Sequence, residues 1–374
     1  MRIMITGGGT GGHTSPALAV IEELRRRDPQ LLLQWIGKRG GMEENVAKKN
    51  GVPFRSLPVE GWTRKKSPRM LWTAAKLAYS MMRAWFYLKV FQPQAVFGVG
   101  GYVSLPALWV AQRAGVKTLL HEQNKRLGLA NRLCAAKVTR LLLSYPETEG
   151  EYPKDRAVLV GNPVRRAFLH PPETNAARAD LGLAENVFTV LVVGGSQGAH
   201  TLNETTAALL QRFRPEELQV IWSAGKNGVT RAREQAEGAP VQPHIHAFIE
   251  DMATTCAAAD LVISRSGASM TAELAAMGKP ALLVPYPHAA DNHQEHNARA
   301  FEQAGAALVL LDQECTGEGL EPLLRELIAS PARLKAMGEA AKSLARPFAA
   351  EEIAEIIMQL VYENGPDTAT RNGQ

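Results

Sequence analysis

Short apolar runs, each followed by glycine or a polar turn and then by a longer helical stretch, repeat along the whole chain. Ile3-Met4-Ile5 opens the series, and Leu31–Ile36, Ala95–Val99, Lys117–Leu120, Arg140–Leu143 and Ala157–Val160 continue it. The pattern restarts at Phe188–Val193 and runs through Gln219–Trp222, His244–Phe248, Leu261–Ser264, Ala281–Val284 and Ala307–Leu310. Near-continuous apolar runs suit strands of a parallel sheet, whose two faces are both covered by helices. Their alternation with helical segments predicts an α/β fold of two Rossmann-like domains with parallel sheets. Gly161-Asn162-Pro163 ends the last strand of the first half, so the expected domains are residues 1–162 and 163–346. Pro347 interrupts a helical pattern that resumes as Ala350–Tyr362, and residues 364–374 form a polar tail.

The bulk composition narrows the class. A chain of 374 residues suits two domains, and 45% hydrophobic with 21% charged residues is ordinary for a globular protein. Cys134, Cys256 and Cys315 are an odd set without C-x-x-C spacing, which argues against a disulfide framework or a zinc site. The chain enters a strand almost at once, which argues against a signal peptide. Residues 90–112 carry no charge, but Pro93, Gly98, Gly100, Gly101 and Pro106 break them into strand, loop and helix, so no transmembrane segment is expected.

Charge is unevenly spread. Residues 1–162 hold 25 Lys and Arg against 11 Asp and Glu, a balance of +14; residues 163–374 hold the remaining 17 against 26, or −9. No acid lies between Glu60 and Glu122. A one-sided basic half calls for an anionic partner: nucleic acid, acidic membrane or a phosphorylated substrate.

Three glycine-rich loops suggest the phosphorylated substrate. Gly7-Gly8-Gly9-Thr10-Gly11-Gly12-His13 and Gly194-Gly195-Ser196-Gln197-Gly198 each follow an apolar run, and Gly98 to Ser104 supplies the third. Strand, tight turn and helix together aim backbone N–H groups and a positive helix end at an anion. Gly7, Gly9 and Gly12 match G-x-G-x-x-G, yet Gly37-Lys38-Arg39 stands where a dinucleotide site has its acid. Lys38 and Arg39 leave an NADP-dependent dehydrogenase as an alternative.

Other positions carry candidate chemistry. His13 starts a helix within the first loop and is a candidate general base, with His121 and Glu122 as alternatives. Residues 264–273 run from a strand into a helix; the small side chains permit close backbone approach, and Glu273 can accept two hydrogen bonds from a vicinal diol. His288, His293 and His296 resemble metal spacing, but their Asn and Gln neighbours suit sugar hydroxyls, and no D-x-D pair is present to chelate a nucleotide-bound cation. No metal is therefore expected; helix ends and Arg165 would stabilise a leaving diphosphate instead.

In combination these motifs resemble the bacterial N-acetylglucosaminyltransferases that act on undecaprenyl-diphosphate-N-acetylmuramoyl-pentapeptide. The motifs are Gly8 to His13, Gly100 to Ser104, His121 to Asn124, Gly161 to Arg165, Gly194 to Ala199 and Ser264 to Ala268, in order, and the likeness extends to about residue 360. It implies a GT-B fold, a C-terminal helix of about 347–363 crossing back to the N-terminal domain, and inverting transfer of N-acetylglucosamine (GlcNAc) without a cofactor. It implies UDP-GlcNAc on the C-terminal domain, with Phe248 and Ile249 at the uracil, and Glu273 at the ribose. Arg165, Ser196, Ala268 and Ser269 would contact the diphosphate beside Met270 and Thr271, and His293 and Gln294 would read the sugar. On the N-terminal domain it implies the lipid-linked N-acetylmuramoyl (MurNAc) acceptor, lipid I, near Thr10, Gly11, Gly12, Asn124, Gly100, Gly101, Tyr102 and Asn131. Family members often have Thr where this chain has Met270 and Gln where it has His293.

The family reading also suits the basic half. Arg64, Lys65, Lys66 and Arg69 precede a helix bearing Trp72, Trp85 and Phe86, whose charges, Lys76, Arg83 and Lys89, are all positive. Such a segment suits docking on an anionic membrane surface, expected to be the cytoplasmic face of the plasma membrane. A nucleic-acid binder would instead interleave aromatic and basic residues on a stacking platform, so no nucleic-acid partner is expected. Other proteins of cell-wall synthesis are the remaining expected partners.

Overall fold

The computed structural model describes residues 1–61 and 69–362, apart from the side chains of Arg69, Met70 and Asp291. Arg64, Lys65, Lys66 and the polar tail thus lie outside the described residues. The chain forms two compact units, Met1–Arg165 with the segment from Arg346 onward, and Arg166–Ala345.

The first unit is built on β1 (Arg2–Thr6), β2 (Leu32–Lys38), β3 (Phe54–Leu57), β4 (Ala95–Gly98), β5 (Lys117–Glu122), β6 (Arg140–Leu143) and β7 (Ala157–Leu159). Their order is β3-β2-β1-β4-β5-β6-β7, and every adjacent pair is parallel. Alternation along β1 shows why the run is wholly apolar: Ile3 and Ile5 enter one core, Met4 the core on the other face. The helix Ala349–Tyr362 returns to this unit and completes the first core with Ile353, Ile357, Leu360 and Val361, against Val20 and Leu24 of the helix Gly11–Arg27.

The second unit repeats the plan with β8 (Phe188–Val193), β9 (Leu218–Ser223), β10 (His244–His246), β11 (Leu261–Ser264), β12 (Ala281–Leu283) and β13 (Ala307–Val309), in the order β10-β9-β8-β11-β12-β13. All pairs are again parallel. The α/β expectation with two Rossmann-like parallel sheets is borne out. Two details differ. β3, with Arg55 exposed, is a partly exposed edge strand that no apolar run announces. β10 stops at His246, which leaves Ala247 and Phe248 in the following loop.

In each sheet the strand order reverses about one strand, β1 in the first unit and β8 in the second. Ligands of open α/β sheets bind at such reversals, outside the C-terminal ends of the strands. The loops at issue follow β1 and β4 in one unit, and β8 and β11 in the other.

Candidate active site

In the first unit the loops after β1 and β4 interlock. Gly8 has φ +151° and Gly101 φ +76°, both in the region that glycine alone enters freely. A Cβ on Gly101 would lie 2.8 Å from the Gly8 carbonyl oxygen, so the two backbones touch. Trp35 donates its indole N–H to the Gly7 carbonyl at 3.1 Å from beneath. Gly11 and Gly12 open the helix Gly11–Arg27, whose first turn carries no acid to offset its positive end. His13 is half-buried, its Nδ1 2.9 Å from Thr10 Oγ1, and its ring covers Gly100 and Gly101. Tyr102 packs over Gly9 and Gly61.

The two alternative bases lie at the end of β5, and both are buried. His121 is fully buried. Its Nε2–H donates to the Gly161 carbonyl at 2.9 Å, with Ser144 Oγ at 3.3 Å, and its Nδ1 accepts from Gln123 Nε2 at 2.9 Å. The same amide nitrogen donates to the Val99 carbonyl at 2.8 Å, which sets the direction of the chain of bonds. Burial pulls the His121 pKa down to about 4, so the ring is neutral at physiological pH. Glu122, on the opposite face of the strand, accepts from Asn124 N and Nδ2, Gly128 N and Asn131 Nδ2 at 2.7–3.1 Å. Burial still raises its pKa above the ordinary carboxylate value. Both residues shape the floor of the site. Asn124 is half-buried above them, while Asn131 is buried beside Gly100.

In the second unit the loop after β8 is locked backbone to backbone against the loop after β9. A Cβ on Gly198 would lie 2.2 Å from the Ala224 carbonyl oxygen. Lys226 N donates to the Ser196 carbonyl at 3.3 Å across this contact. After β11, Ser266 and Gly267 lead into the helix Ala268–Met277, again without an acid in its first turn. Ala268 and Ser269 are buried at its start and Met270 is half-buried; the Thr271 hydroxyl bonds back to the Gly267 and Ala268 carbonyls. Glu273 is only 8% exposed, which is far from a solvated helical carboxylate. Phe248 is 51% exposed beside the buried Ile249.

The segment after β12 is tied to the same turn. Ser266 Oγ donates to the Gln294 carbonyl at 2.7 Å, and Gln294 Oε1 accepts from Tyr286 N at 3.0 Å. His293 Nδ1–H donates to the Ala290 carbonyl at 2.7 Å, which turns the Nε2 edge of the ring away from that bond. Arg265 braces the segment through the Val284 and Pro285 carbonyls, both at 3.1 Å, and an ion pair with Asp312. Arg165, from the first unit, is half-buried. Among the described residues no group of three or more His, Cys, Asp or Glu side chains is placed to hold a metal ion.

Sequence reasoning missed the braces: Glu43 under the first loop, Gln123 and Ser144 around His121, and Asp312 against Arg265. Glu43 reaches Gly9, Gln123 reaches Val99, Ser144 reaches His121 and Asp312 reaches Arg265 across separate elements, so periodicity and spacing carry no signal for these pairings. Gln123 sat within a motif but was given no role.

The helix Arg69–Phe91 turns Thr73, Ser80, Ala84 and Leu88 inward. Its outward stripe holds Leu71, Trp72, Tyr79, Met82, Trp85, Phe86 and Val90, all exposed, with Trp72 at 61%. Lys76 and Lys89 lie over the Trp72 and Trp85 rings at 5.4 and 5.7 Å. An apolar outer stripe is the reverse of a core helix with a solvated face. No helix among the described residues is long and apolar enough to cross a membrane.

Two doubly wound parallel sheets, each with a glycine loop and an acid-free helix start at its strand-order reversal, are the GT-B plan of glycosyltransferases. The model of the glycosyltransferase family 28 N-terminal domain matches residues 3–143, and that of the C-terminal domain matches residues 189–357. A relative from Desulforudis audaxviator is 39% identical over 96% of this chain and 98% of its own length. One from Bacillus subtilis is 34% identical over 96% and 99%. Both carry the name UDP-N-acetylglucosamine--N-acetylmuramyl-(pentapeptide) pyrophosphoryl-undecaprenol N-acetylglucosamine transferase. The crystal structure of Acinetobacter baumannii MurG superposes with a TM-score of 0.73 at 29% identity, covering 96% of this chain and 99% of that one. The chain belongs to glycosyltransferase family 28, among the transferases that bear this name.

Proposed function

We propose that this chain moves GlcNAc from UDP-GlcNAc to the C4 hydroxyl of MurNAc in lipid I, inverting the anomeric centre and releasing UDP. The observation that carries the donor half is the buried Glu273 carboxylate on the helix that starts at the β8/β11 strand-order reversal. A carboxylate withdrawn from water there suits a ribose diol, with exposed Phe248 against the uracil and the edge of Ile249 backbone beside it. The acid-free helix start at Ala268 and Ser269, together with Ser196 and Arg165, supports the diphosphate. Met270 offers packing only, and Thr271 spends its hydroxyl within the helix. Gln294 and the free edge of His293 read sugar hydroxyls.

On the acceptor side, Thr10 to Gly12, Gly100 to Tyr102, Asn124 and Asn131 receive the MurNAc diphosphate. His13 is the base. Its ring, held 2.9 Å from Thr10 Oγ1 through Nδ1, takes the C4 hydroxyl proton. The C4 oxygen attacks the anomeric carbon from the face opposite UDP, the bond from that carbon to the phosphate oxygen breaks, and its electron pair leaves with UDP. Donor binding needs no metal.

The apolar outer stripe of the helix Arg69–Phe91, within a basic half, supports peripheral docking on the anionic cytoplasmic face of the plasma membrane. A substrate with a polyprenyl tail stays in the bilayer, so the enzyme comes to it, alongside other proteins of cell-wall synthesis.

A second reading has a specific basis: a UDP-GlcNAc 2-epimerase from Neisseria meningitidis superposes with a TM-score of 0.68, but at 14% identity, a likeness of fold alone. Incubation with labelled UDP-GlcNAc and a lipid I analogue separates the two. A β-1,4-linked disaccharide product with release of UDP supports transfer. An α-linked product, or consumption of UDP-GlcNAc by epimerisation alone, refutes it.

A further inference from the structure

Behind the first glycine loop sits a carboxylate with no place in the reaction described above. Glu43, second residue of the helix Met42–Lys49, is fully buried. Its Oε2 accepts from Gly9 N at 3.0 Å and its Oε1 from Lys38 N at 2.7 Å. Three glycines, Gly8 of the first loop, Gly37 near the end of β2 and Gly41 just before the helix, close on this one side chain. A Cβ would lie 2.3 Å from the carboxyl carbon at Gly8, 2.5 Å from Cγ at Gly37, and 2.6 Å from Oε2 at Gly41. A side chain on any of the three would displace the carboxylate.

The first loop therefore does not direct all its amides at a ligand. Gly9 points its N–H inward to Glu43. The next residue, Thr10, holds His13, and Gly8 holds Gly101. Glu43 is thus one step from the base and one step from the second loop, without facing either substrate.

We infer that Glu43 is a positioning residue: it fixes the loop Gly7–Gly12, and through Thr10 the His13 ring, in the geometry that transfer requires. The inference rests on the acceptor reading of that loop. Glutamine keeps the shape but brings one oxygen where two N–H groups need acceptors, so one of them meets an NH2 donor. Alanine removes both acceptors.

The test compares Glu43→Gln and Glu43→Ala with wild type. Expected are a fall in kcat of about tenfold or more in the folded Gln variant, a larger fall with Ala, and a KM for UDP-GlcNAc within about twofold of wild type. Deuterium exchange read by mass spectrometry should rise in peptides spanning 7–13 and stay unchanged in the second unit. If Glu43→Ala does not fold, the Gln variant carries both measurements. Wild-type kcat in a folded Glu43→Gln, or unchanged exchange at 7–13, overturns the inference; so does a loss of kcat matched by an equal rise in donor KM. The exchange measurement needs no turnover. A wild-type enzyme inactive on lipid I would therefore refute the proposed reaction without touching this result.

Discussion

His121 offers a quantitative check on the division of labour in the N-terminal unit. Its pKa is about 4 in the folded chain against 6.5 for a free imidazole, chiefly because burial disfavours the charged ring. The folded state therefore binds fewer protons than the unfolded state between those values, and stability falls as pH drops through that window. The contribution is complete above pH 6.5. At about 1.4 kcal/mol per pKa unit, it amounts to about 3 kcal/mol by pH 4, and about 2 kcal/mol is already lost at pH 5. Replacing His121 by Gln should remove this pH-dependent term. The variant starts less stable near neutrality, because the Gly161 carbonyl and the Gln123 amide lose partners at roughly 1–3 kcal/mol each. Between pH 7.5 and 5 it should lose about 2 kcal/mol less than wild type. Urea unfolding at the two pH values measures the difference, and the carbon-13 shift of the His121 ring reads the titration directly. A ring titrating near 6.5 in the folded protein, or identical pH slopes in wild type and variant, would refute the buried neutral imidazole and restore His121 as a candidate base.

Four further outcomes are expected. His13→Ala should lower kcat by roughly 10²–10⁴-fold with donor affinity retained; near-normal turnover in the folded variant would move the base elsewhere. Glu273→Ala should raise the KM for UDP-GlcNAc by at least about thirtyfold, the equivalent of about 2 kcal/mol for lost bonds to a charged acceptor, and an unchanged KM would displace the ribose site. Donor binding, followed by calorimetry, should survive a chelator; loss reversed by a divalent ion would contradict the metal-free diphosphate site. Changing Arg64, Lys65, Lys66 and Arg69 to Ser should weaken binding to anionic vesicles by about 1 kcal/mol per charge at low salt, as should Trp72→Ser with Trp85→Ser, while activity on a short-chain acceptor is kept; salt-independent, unaltered binding would place the docking surface elsewhere.

The parallel sheets were legible because strands buried on both faces must be apolar throughout, as Ile3–Ile5 and Val190–Val193 are. The glycine loops were legible because a backbone that touches another backbone admits no Cβ, and Gly101 and Gly198 sit at such contacts. The edge strand β3 escapes that logic: it is partly exposed, and Phe54-Arg55-Ser56-Leu57 carries no apolar run. The chemistry of each motif was only half visible. Adjacent residues of a strand face opposite ways, so His121 and Glu122 enter different surroundings, and burial rather than residue type moved their pKa values, His121 down and Glu122 up. Glu43 and Glu44 look identical in sequence, two acids favouring a helix start. Only the packing of the distant Gly8–Gly9 backbone onto this position, beside the neighbouring Gly37 and Gly41, made Glu43 a buried brace and left Glu44 paired with Lys48 at the surface. The pattern of residue types is local and determines elements. Charge state and hydrogen-bond partners depend on which distant backbone excludes water, and that is settled only when the elements pack.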